Sequence, residues 1–432
     1  MDVRRLVEAT PADRNRTIDL VRVVSIVLVV LGHWLAAAVW YEDGALRFTN
    51  LLVLAPWAQW ATWIVQVIPL FFVAGGFANR RSFASAHRRG EEAARWIVVR
   101  FRRLLTPVVP FLATWLGLLL VVRAAGVPPA LVHSGSLASV TPLWFLAVYL
   151  LVIAAVPVTV ALWERFGWRT VLVGALAAVA VDGLRFASDA DWVGWANYVF
   201  VWGTAHQLGY AWASETSPPR RGILAAGFVA AFGVLVAVTV AGPYPISMVG
   251  IPGAAANNTL PPTAALLALT AVQYLLVRLV EPSLVGILRR RGPWTVVVAV
   301  QSVIMTLYLW HLPALALVVL VGHLAGVGFD ARPLSATWWW TRPVWLTILA
   351  GVTAVLVWIY GRWEHRVRPV DRLPSPWSLA VGVTATIVGI AYLVVRGIVD
   401  AGGDVRWELV ALATVGVVFL GAYPALRPRT RT

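Results

Sequence analysis

The first apolar run of the chain reads TIDLVRVVSIVLVVLGHW over residues 17–34. It predicts a membrane-spanning helix, yet it carries Asp19, Arg22 and His33. In a helix, the eleven steps from Arg22 to His33 make close to three turns, or roughly 16 Å, so both side chains share one face, with Asp19 one turn earlier. Ionisable side chains inside a bilayer are costly and often functional. We expect a functional stripe from the membrane edge to about its middle; the alternative is an arginine that snorkels and a packed histidine.

Composition predicts an integral membrane protein. The chain is 60% hydrophobic and 13% charged, with a mean hydropathy of +0.78. Its 432 residues include no cysteine, which excludes disulfides, thiolate chemistry and cysteine-based metal sites. No metal-ligand spacing is evident, so we predict no metal cofactor.

Hydropathy predicts an all-α, polytopic transmembrane helix bundle of about twelve spans. We expect three regions: a cytoplasmic tail at 1–16, a transmembrane core at 17–375, and two additional helices with a short basic tail at 376–432. The predicted spans are 18–40, 57–78, 104–123, 141–163, 170–182, 195–213, 222–242, 262–281, 294–320, 341–361, 377–397 and 407–425.

Arginine sets the predicted orientation. With the N-terminus inside, 26 of the 35 basic residues fall in inside segments and seven in outside segments. This bias follows the positive-inside rule and predicts an even number of spans with both termini cytoplasmic, in a multi-pass protein of the cell membrane. The net charge of +15 is therefore a topology signal. No soluble basic domain exists to bind nucleic acid, so we exclude that partner.

A basic loop connects the second and third predicted spans. Gly75 and Gly76 end the second span and allow close backbone approach, either for function or for helix packing. Asn79 brings an amide to the inner membrane face. The loop continues into an amphipathic segment whose arginines suit a polyphosphate ligand or anionic lipid headgroups; they are Arg100, Arg102 and Arg103.

Polar and aromatic side chains recur in the later spans. Trp144 and Tyr149 lie in the outer part of the fourth span, where an interfacial belt is the alternative to a binding role. His206 and Gln207 make the sixth span polar, so they should face the bundle interior. In the ninth span, Pro313 follows the predicted pair Tyr308 and His311, and we expect a kink beside that histidine unless it is simply packed.

Together these stretches resemble the acyltransferase-3 family of integral membrane proteins. The elements occur in the family's order: Arg22 and His33 separated by ten residues, FFVAGGF at 71–77, the Arg100-x-x-Arg103-x-x-x-Pro107 element, LWFL at 143–146 and YLWHLP at 308–313. The resemblance covers roughly residues 16–366 as a ten-helix core. Gly75 replaces the family's serine, and Tyr149 lies near the place of an acidic residue that often follows LWFL.

The resemblance implies transfer of an acyl group from cytoplasmic acyl-CoA, by default acetyl-CoA, to a hydroxyl of a sugar, glycolipid or small membrane-accessible compound. Arg100, Arg102 and Arg103, with Asn79, would bind the donor, and Arg22 would steady its diphosphate or pantetheine arm. His33 would act as general base or covalent acyl carrier. Asp19 would orient Arg22.

On the acceptor side, Tyr308 or His311 would assist the chemistry, and the acceptor would contact Trp144, Tyr149, His206 and Gln207. Two other classes stay open at this point. A secondary transporter could use buried Asp, Arg and His as a proton relay, although no repeated halves are evident. A non-catalytic glycolipid-binding subunit is the third candidate.

Overall fold

The computed structural model describes residues 3–188, 190–254 and 256–423. The predicted basic C-terminal tail lies outside the described residues from 424 onward. Within the described part the fold is all-α apart from one β-hairpin. The helices are α1 (Val3–Glu8), α2 (Arg16–Ala36), α3 (Leu51–Leu54), α4 (Thr62–Val65), α5 (Ile68–Arg88), α6 (Ala93–Leu105), α7 (Val108–Ala124), α8 (Pro129–Val140), α9 (Leu143–Phe166), α10 (Trp168–Ala187), α11 (Asn197–Ser214), α12 (Arg221–Val236), α13 (Ala264–Leu288), α14 (Arg291–Gln301), α15 (Ile304–Ala325), α16 (Ala336–Glu364), α17 (Pro376–Arg396) and α18 (Trp407–Leu420).

Ten helical stretches among the described residues are long and apolar enough to cross a membrane, so the protein is multi-pass. They are Arg16–Ala36, Pro56–Arg88, Ala93–Ala124, Val132–Phe166, Trp168–Ala187, Arg221–Ala241, Ala264–Leu288, Ile304–Ala325, Ala336–Glu364 and Pro376–Arg396. Two predicted spans do not qualify: α11 is polar, and α18 has only 14 residues. Twelve spans and cytoplasmic termini stay predictions.

The first helix ends earlier than the sequence suggested. After Ala36 the chain forms an antiparallel hairpin of β1 (Ala37–Glu42) and β2 (Ala45–Asn50). Asp43 and Gly44 have φ of 51° and 74°, the conformation that a two-residue type I′ turn requires. His33 consequently lies in the last turn of α2 and not near the middle of a span reaching residue 40.

The predicted ninth span is two helices. The chain leaves helical geometry at Ser302 and Val303, between α14 and α15. Pro313 does not end α15, which continues to Ala325.

The chain divides into two compact units. Unit 1 comprises the chain up to Ser82 with Val156–Ser302 and Gly322–Leu346. Its core includes side chains of α2, α5, α11 and α13. The α5–α11 crossing is close, because a Cβ on Gly76 would overlap the backbone carbonyl of His206, and one on Gly209 would overlap that of Val73. For Gly76, the sequence interpretation of helix packing is therefore correct.

Unit 2 comprises Phe83–Ala155, Val303–Val321 and the chain from Thr347 onward. Aromatic rings join its helices: Trp310 stacks on Tyr360 at 3.9 Å between centroids and meets Phe111 edge-on. The pair α17–α18 packs through small residues, where a Cβ on Gly416 would overlap Thr386.

Candidate functional site

Asp19 has a different partner from the one expected. It is only 6% exposed, and both carboxylate oxygens accept hydrogen bonds from Arg14, at 2.6 Å from Nε and 3.0 Å from Nη2. The hydrogen bond to Asp19 raises the pKa of Arg14. Arg14 reaches Asp19 because it precedes the N-cap Asn15, whose side chain accepts from the Ile18 amide. Asp19 therefore pairs with Arg14, and a role of this carboxylate in orienting Arg22 stays a prediction.

Arg22 lies one turn further along α2. Its guanidinium is 5.6 Å from the ring centroid of Phe71 on α5. Its Nε is buried and has no hydrogen-bond partner among the described residues. Buried donors are normally satisfied, so this cation can still bind an oxygen atom.

His33 ends the same helix with an exposed side chain. Its carbonyl accepts the Ala37 amide at the C-cap, and the carbonyl of Trp34 accepts a hydrogen bond from Trp345 Nε1 at 3.0 Å. The backbone on both sides of the imidazole is thereby fixed.

Asn79 and His206 lie in contact in unit 1, although the sequence predicted that Asn79 binds the acyl donor and His206 contacts the acceptor. Asn79 Nδ2 lies 3.1 Å from His206 Nε2, and the two residues are 2% and 1% exposed. Gln207 is also buried, and its Oε1 has no partner among the described residues. As predicted, these polar groups of α11 face protein.

In unit 2, Arg102 is engaged by the backbone. Its Nε donates to the carbonyl of Leu420 at 2.7 Å, and its Nη1 donates to the carbonyl of Pro369. Arg102 therefore caps the end of α18, in contrast to the donor-binding role expected for it. Arg100 lies over the ring of Trp96 at 5.4 Å.

The sequence patterns did not single out Glu364 as a candidate functional residue. Its carboxylate accepts from the amides of Met305 and Thr306, at 3.2 and 3.0 Å, and from Thr306 Oγ1 at 2.8 Å, so it caps the start of α15. Arg103 interacts electrostatically with the same carboxylate. The available signal was that Glu364 is the sole acidic residue in the stretch 336–370.

The predicted residues of α9 and α15 also come together. Tyr308 donates its hydroxyl to the carbonyl of Pro142 at 2.8 Å, and its ring meets Phe145, which stacks on Tyr149. His311 Nδ1 lies 2.5 Å from the Tyr308 carbonyl and so donates to it. Trp144 contacts Phe145 edge-on at 6.3 Å. Unit 2 thus gathers the LWFL and YLWHLP elements around Tyr308.

Comparison with known proteins gives one positive finding. No curated protein and no solved structure matches the chain. The sequence profile of the acyltransferase-3 family, described as an acyltransferase domain, matches residues 15–363, which is most of the chain and contains both helices α2 and α15. The protein is therefore a membrane-embedded member of the acyltransferase-3 family.

Proposed function

We propose that the protein transfers an acyl group, acetyl by default, from cytoplasmic acyl-CoA to a hydroxyl of a membrane-accessible sugar, glycolipid or small compound at the cell membrane. Family membership supplies the acyltransferase class. The observation that carries the proposal is Arg22: a cation with an unsatisfied buried Nε, on the same helix as the exposed His33. A guanidinium binds phosphate oxygens, and an imidazole nitrogen can accept the proton of a hydroxyl.

The donor is held by charge. The donor contacts inferred from the sequence are proposed within each unit, Arg22 in unit 1 and Arg100 and Arg103 of the basic helix in unit 2, each suited to bind the phosphates or the pantetheine arm of acyl-CoA. Glu364 fixes the start of α15 and neutralises part of the charge near Arg103. Asn79 contributes through its hydrogen bond with His206, which joins α5 to α11.

The transfer is a balanced acyl exchange. His33 takes the proton of the acceptor hydroxyl while its oxygen attacks the thioester carbonyl. The C–S bond then breaks, the new C–O bond remains, and the departing thiolate takes the proton from the imidazolium. The acceptor contacts inferred from the sequence are likewise proposed within each unit: Tyr308, His311, Trp144 and Tyr149 in unit 2, and Gln207 in unit 1.

The first experiment needs no knowledge of the acceptor. Purified protein in nanodiscs receives acetyl-CoA, and release of free coenzyme A is compared for wild type, His33→Ala and the control His87→Ala, an exposed histidine of α5. We expect slow release to water by wild type and the control, none by His33→Ala, and coenzyme A binding by all three.

Two outcomes would overturn the proposal. A wild-type protein that binds no acyl-CoA is not an acyl-CoA-dependent enzyme, and unchanged release by His33→Ala would remove the histidine from the chemistry. The transporter and the non-catalytic subunit considered from the sequence predict no release at all. The family match favours the enzyme over both.

A further inference from the structure

Two arginines are buried in unit 1, and their surroundings differ. Arg278 is 4% exposed and fully neutralised. Glu215 binds its two Nη atoms at 2.7 and 2.5 Å, and Glu281 binds its Nε at 2.9 Å. The ring of Trp212 covers its guanidinium at 4.9 Å. This is how a buried guanidinium is normally stabilised.

Arg342 on α16 is 9% exposed but has no carboxylate within ion-pairing distance among the described residues. Its guanidinium lies 4.2 Å from the ring centroid of Trp338 and 5.2 Å from that of Trp345. Nε makes one long hydrogen bond, 3.3 Å, to the Trp338 carbonyl. Nη1 is buried and has no hydrogen-bond partner in the described part of the chain, and the same holds for Nε1 of Trp338. A buried cation and two unsatisfied donors therefore share one place.

This place adjoins the end of α2 that carries His33. Trp345, under the guanidinium, donates to the carbonyl of Trp34, the residue after His33. Trp338 belongs to a core cluster with Leu52, against which Val249 and Ile251 pack. Leu52, Val249 and Ile251 also line a cavity of about 320 Å³ in the same unit.

We propose that Arg342 and Trp338 form an oxyanion-binding site for an acidic group, phosphate or carboxylate, of the acceptor. An uncompensated buried charge is costly, and an oxyanion would neutralise it while accepting from Nη1 and from the indole. The site would hold an anionic acceptor beside the helix end that presents His33. The inference rests on the proposed function for the identity of the ligand as acceptor, but anion binding itself does not depend on it.

The test measures anion binding without any acyl donor. Protein in nanodiscs is titrated with methyl phosphate or, separately, glucuronate, and the midpoint of thermal unfolding is followed. We expect the wild-type midpoint to rise with at least one anion. A rise with methyl phosphate alone assigns a phosphate-bearing acceptor, and a rise with glucuronate alone assigns a carboxylate-bearing one. No rise with either anion overturns the site.

Variants test whether the anion that raises the unfolding midpoint binds at Arg342. In Arg342→Met the anion-dependent rise should disappear, while the midpoint in anion-free buffer should be no lower than that of wild type, because the substitution removes an uncompensated charge. The control Arg332→Met changes an exposed arginine and should keep the full rise. A rise that persists in Arg342→Met would show adventitious binding elsewhere and contradict the proposal.

Two milder variants keep the test decisive if Arg342→Met fails to fold. Arg342→Lys retains the charge but loses the planar fork, and Trp338→Phe retains the ring but loses the Nε1 donor. Each should weaken the apparent anion affinity several-fold. Unchanged affinity in both would overturn the site. Because no acyl-CoA is present, failure of the donor proposal cannot produce either result.

Discussion

At the scale of single residues, hydrogen-bond satisfaction separates structural groups from candidate functional groups. Asp19, Glu364 and Arg102 have their charges or donors engaged by neighbours within their own units. Arg22 retains a buried donor, Nε, that no described residue satisfies. The sequence predicted the shared face of Arg22 and His33 because helix periodicity determines it, whereas the Arg14–Asp19 pair depends on the geometry of the turn before α2.

Arg22 gives the first prediction. Arg22→Ala should weaken coenzyme A binding by about 10- to 100-fold, the effect of losing a hydrogen bond to a charged group, roughly 1.5–3 kcal/mol. Affinity is measured by titration of protein in nanodiscs. The matched control is Ser25→Ala on the same helix, whose buried hydroxyl has no partner among the described residues and should be dispensable. Equal affinity for Arg22→Ala and wild type would refute the anchoring role.

Long-range partners were beyond sequence reasoning. Asn79 and His206 are 127 residues apart, so their pairing depends on which helices become neighbours. The sequence likewise did not indicate the surroundings of Arg342, since neither the rings around it nor the lack of a carboxylate partner among the described residues can be predicted from local spacing.

At the scale of helices and strands, small residues decide which helices come close. Gly209→Ala places a methyl group against the backbone of Val73 and Phe77, which cannot move aside as a side chain would. We expect it to destabilise the protein by several kcal/mol or to prevent folding. Gly203→Ala on the same helix meets nothing within 4 Å and should be neutral or stabilising by up to about 1 kcal/mol. Equal unfolding midpoints for the two variants would contradict the close crossing.

The two helices beyond the family match, α17 and α18, are held by contacts with the rest of unit 2. Ser136 Oγ of α8 accepts the buried amides of Ile398 and Val399, at 2.5 and 3.1 Å, in the connection between α17 and α18. Arg123 pairs with Asp404 in the same connection. Together with the Arg102 cap, these contacts hold the α17–α18 pair at both of its ends.

These contacts predict that two serines of α8, Ser136 and Ser134, differ in their effect on the free energy of unfolding. Ser136→Ala leaves two buried amides unsatisfied and should lower the free energy of unfolding by about 1–3 kcal/mol or more. Ser134→Ala, in the same helix, removes an exposed hydroxyl that donates to the Ala130 carbonyl, and it should change the free energy of unfolding by less than about 0.5 kcal/mol. Denaturant unfolding in detergent measures both. A Ser136→Ala protein as stable as Ser134→Ala would show that the connection is not held there.

Element boundaries were partly predictable. The Asp43–Gly44 pair is a strong hairpin signal and could have ended the first helix before residue 40. The break at Ser302 could not be anticipated in the same way, because the capping carboxylate of α15 comes from Glu364, about 60 residues later.

At the scale of the whole molecule, topology is the open prediction. The chain contains no cysteine, so single cysteines can be introduced without background. With twelve spans, Ser217→Cys lies inside and Ala401→Cys outside. A membrane-impermeant maleimide should label Ala401→Cys in intact cells and Ser217→Cys only after permeabilisation.

The labelling pattern also tests whether α11 crosses the membrane. If α11 did not cross the membrane, Ser217→Cys would be labelled from outside, on the same side as the segment before that helix. If the crossings between the two positions were an even number, instead of the five predicted, Ala401→Cys would be labelled from the same side as Ser217→Cys. Composition established the all-α membrane class, but the number of crossings depends on the polar α11 and the short α18, where hydropathy gives no clear answer.

The polarity of α11 has a consequence for biogenesis. A helix bearing an amide, an imidazole and a second amide partitions poorly from the translocon into lipid by itself. The surface that receives it, Gly76 and Asn79 on α5, is synthesised more than a hundred residues earlier. For the predicted crossing, α5 therefore acts as an intramolecular insertion partner for α11, and variants of this contact should lower membrane integration during synthesis as well as the stability of the finished protein.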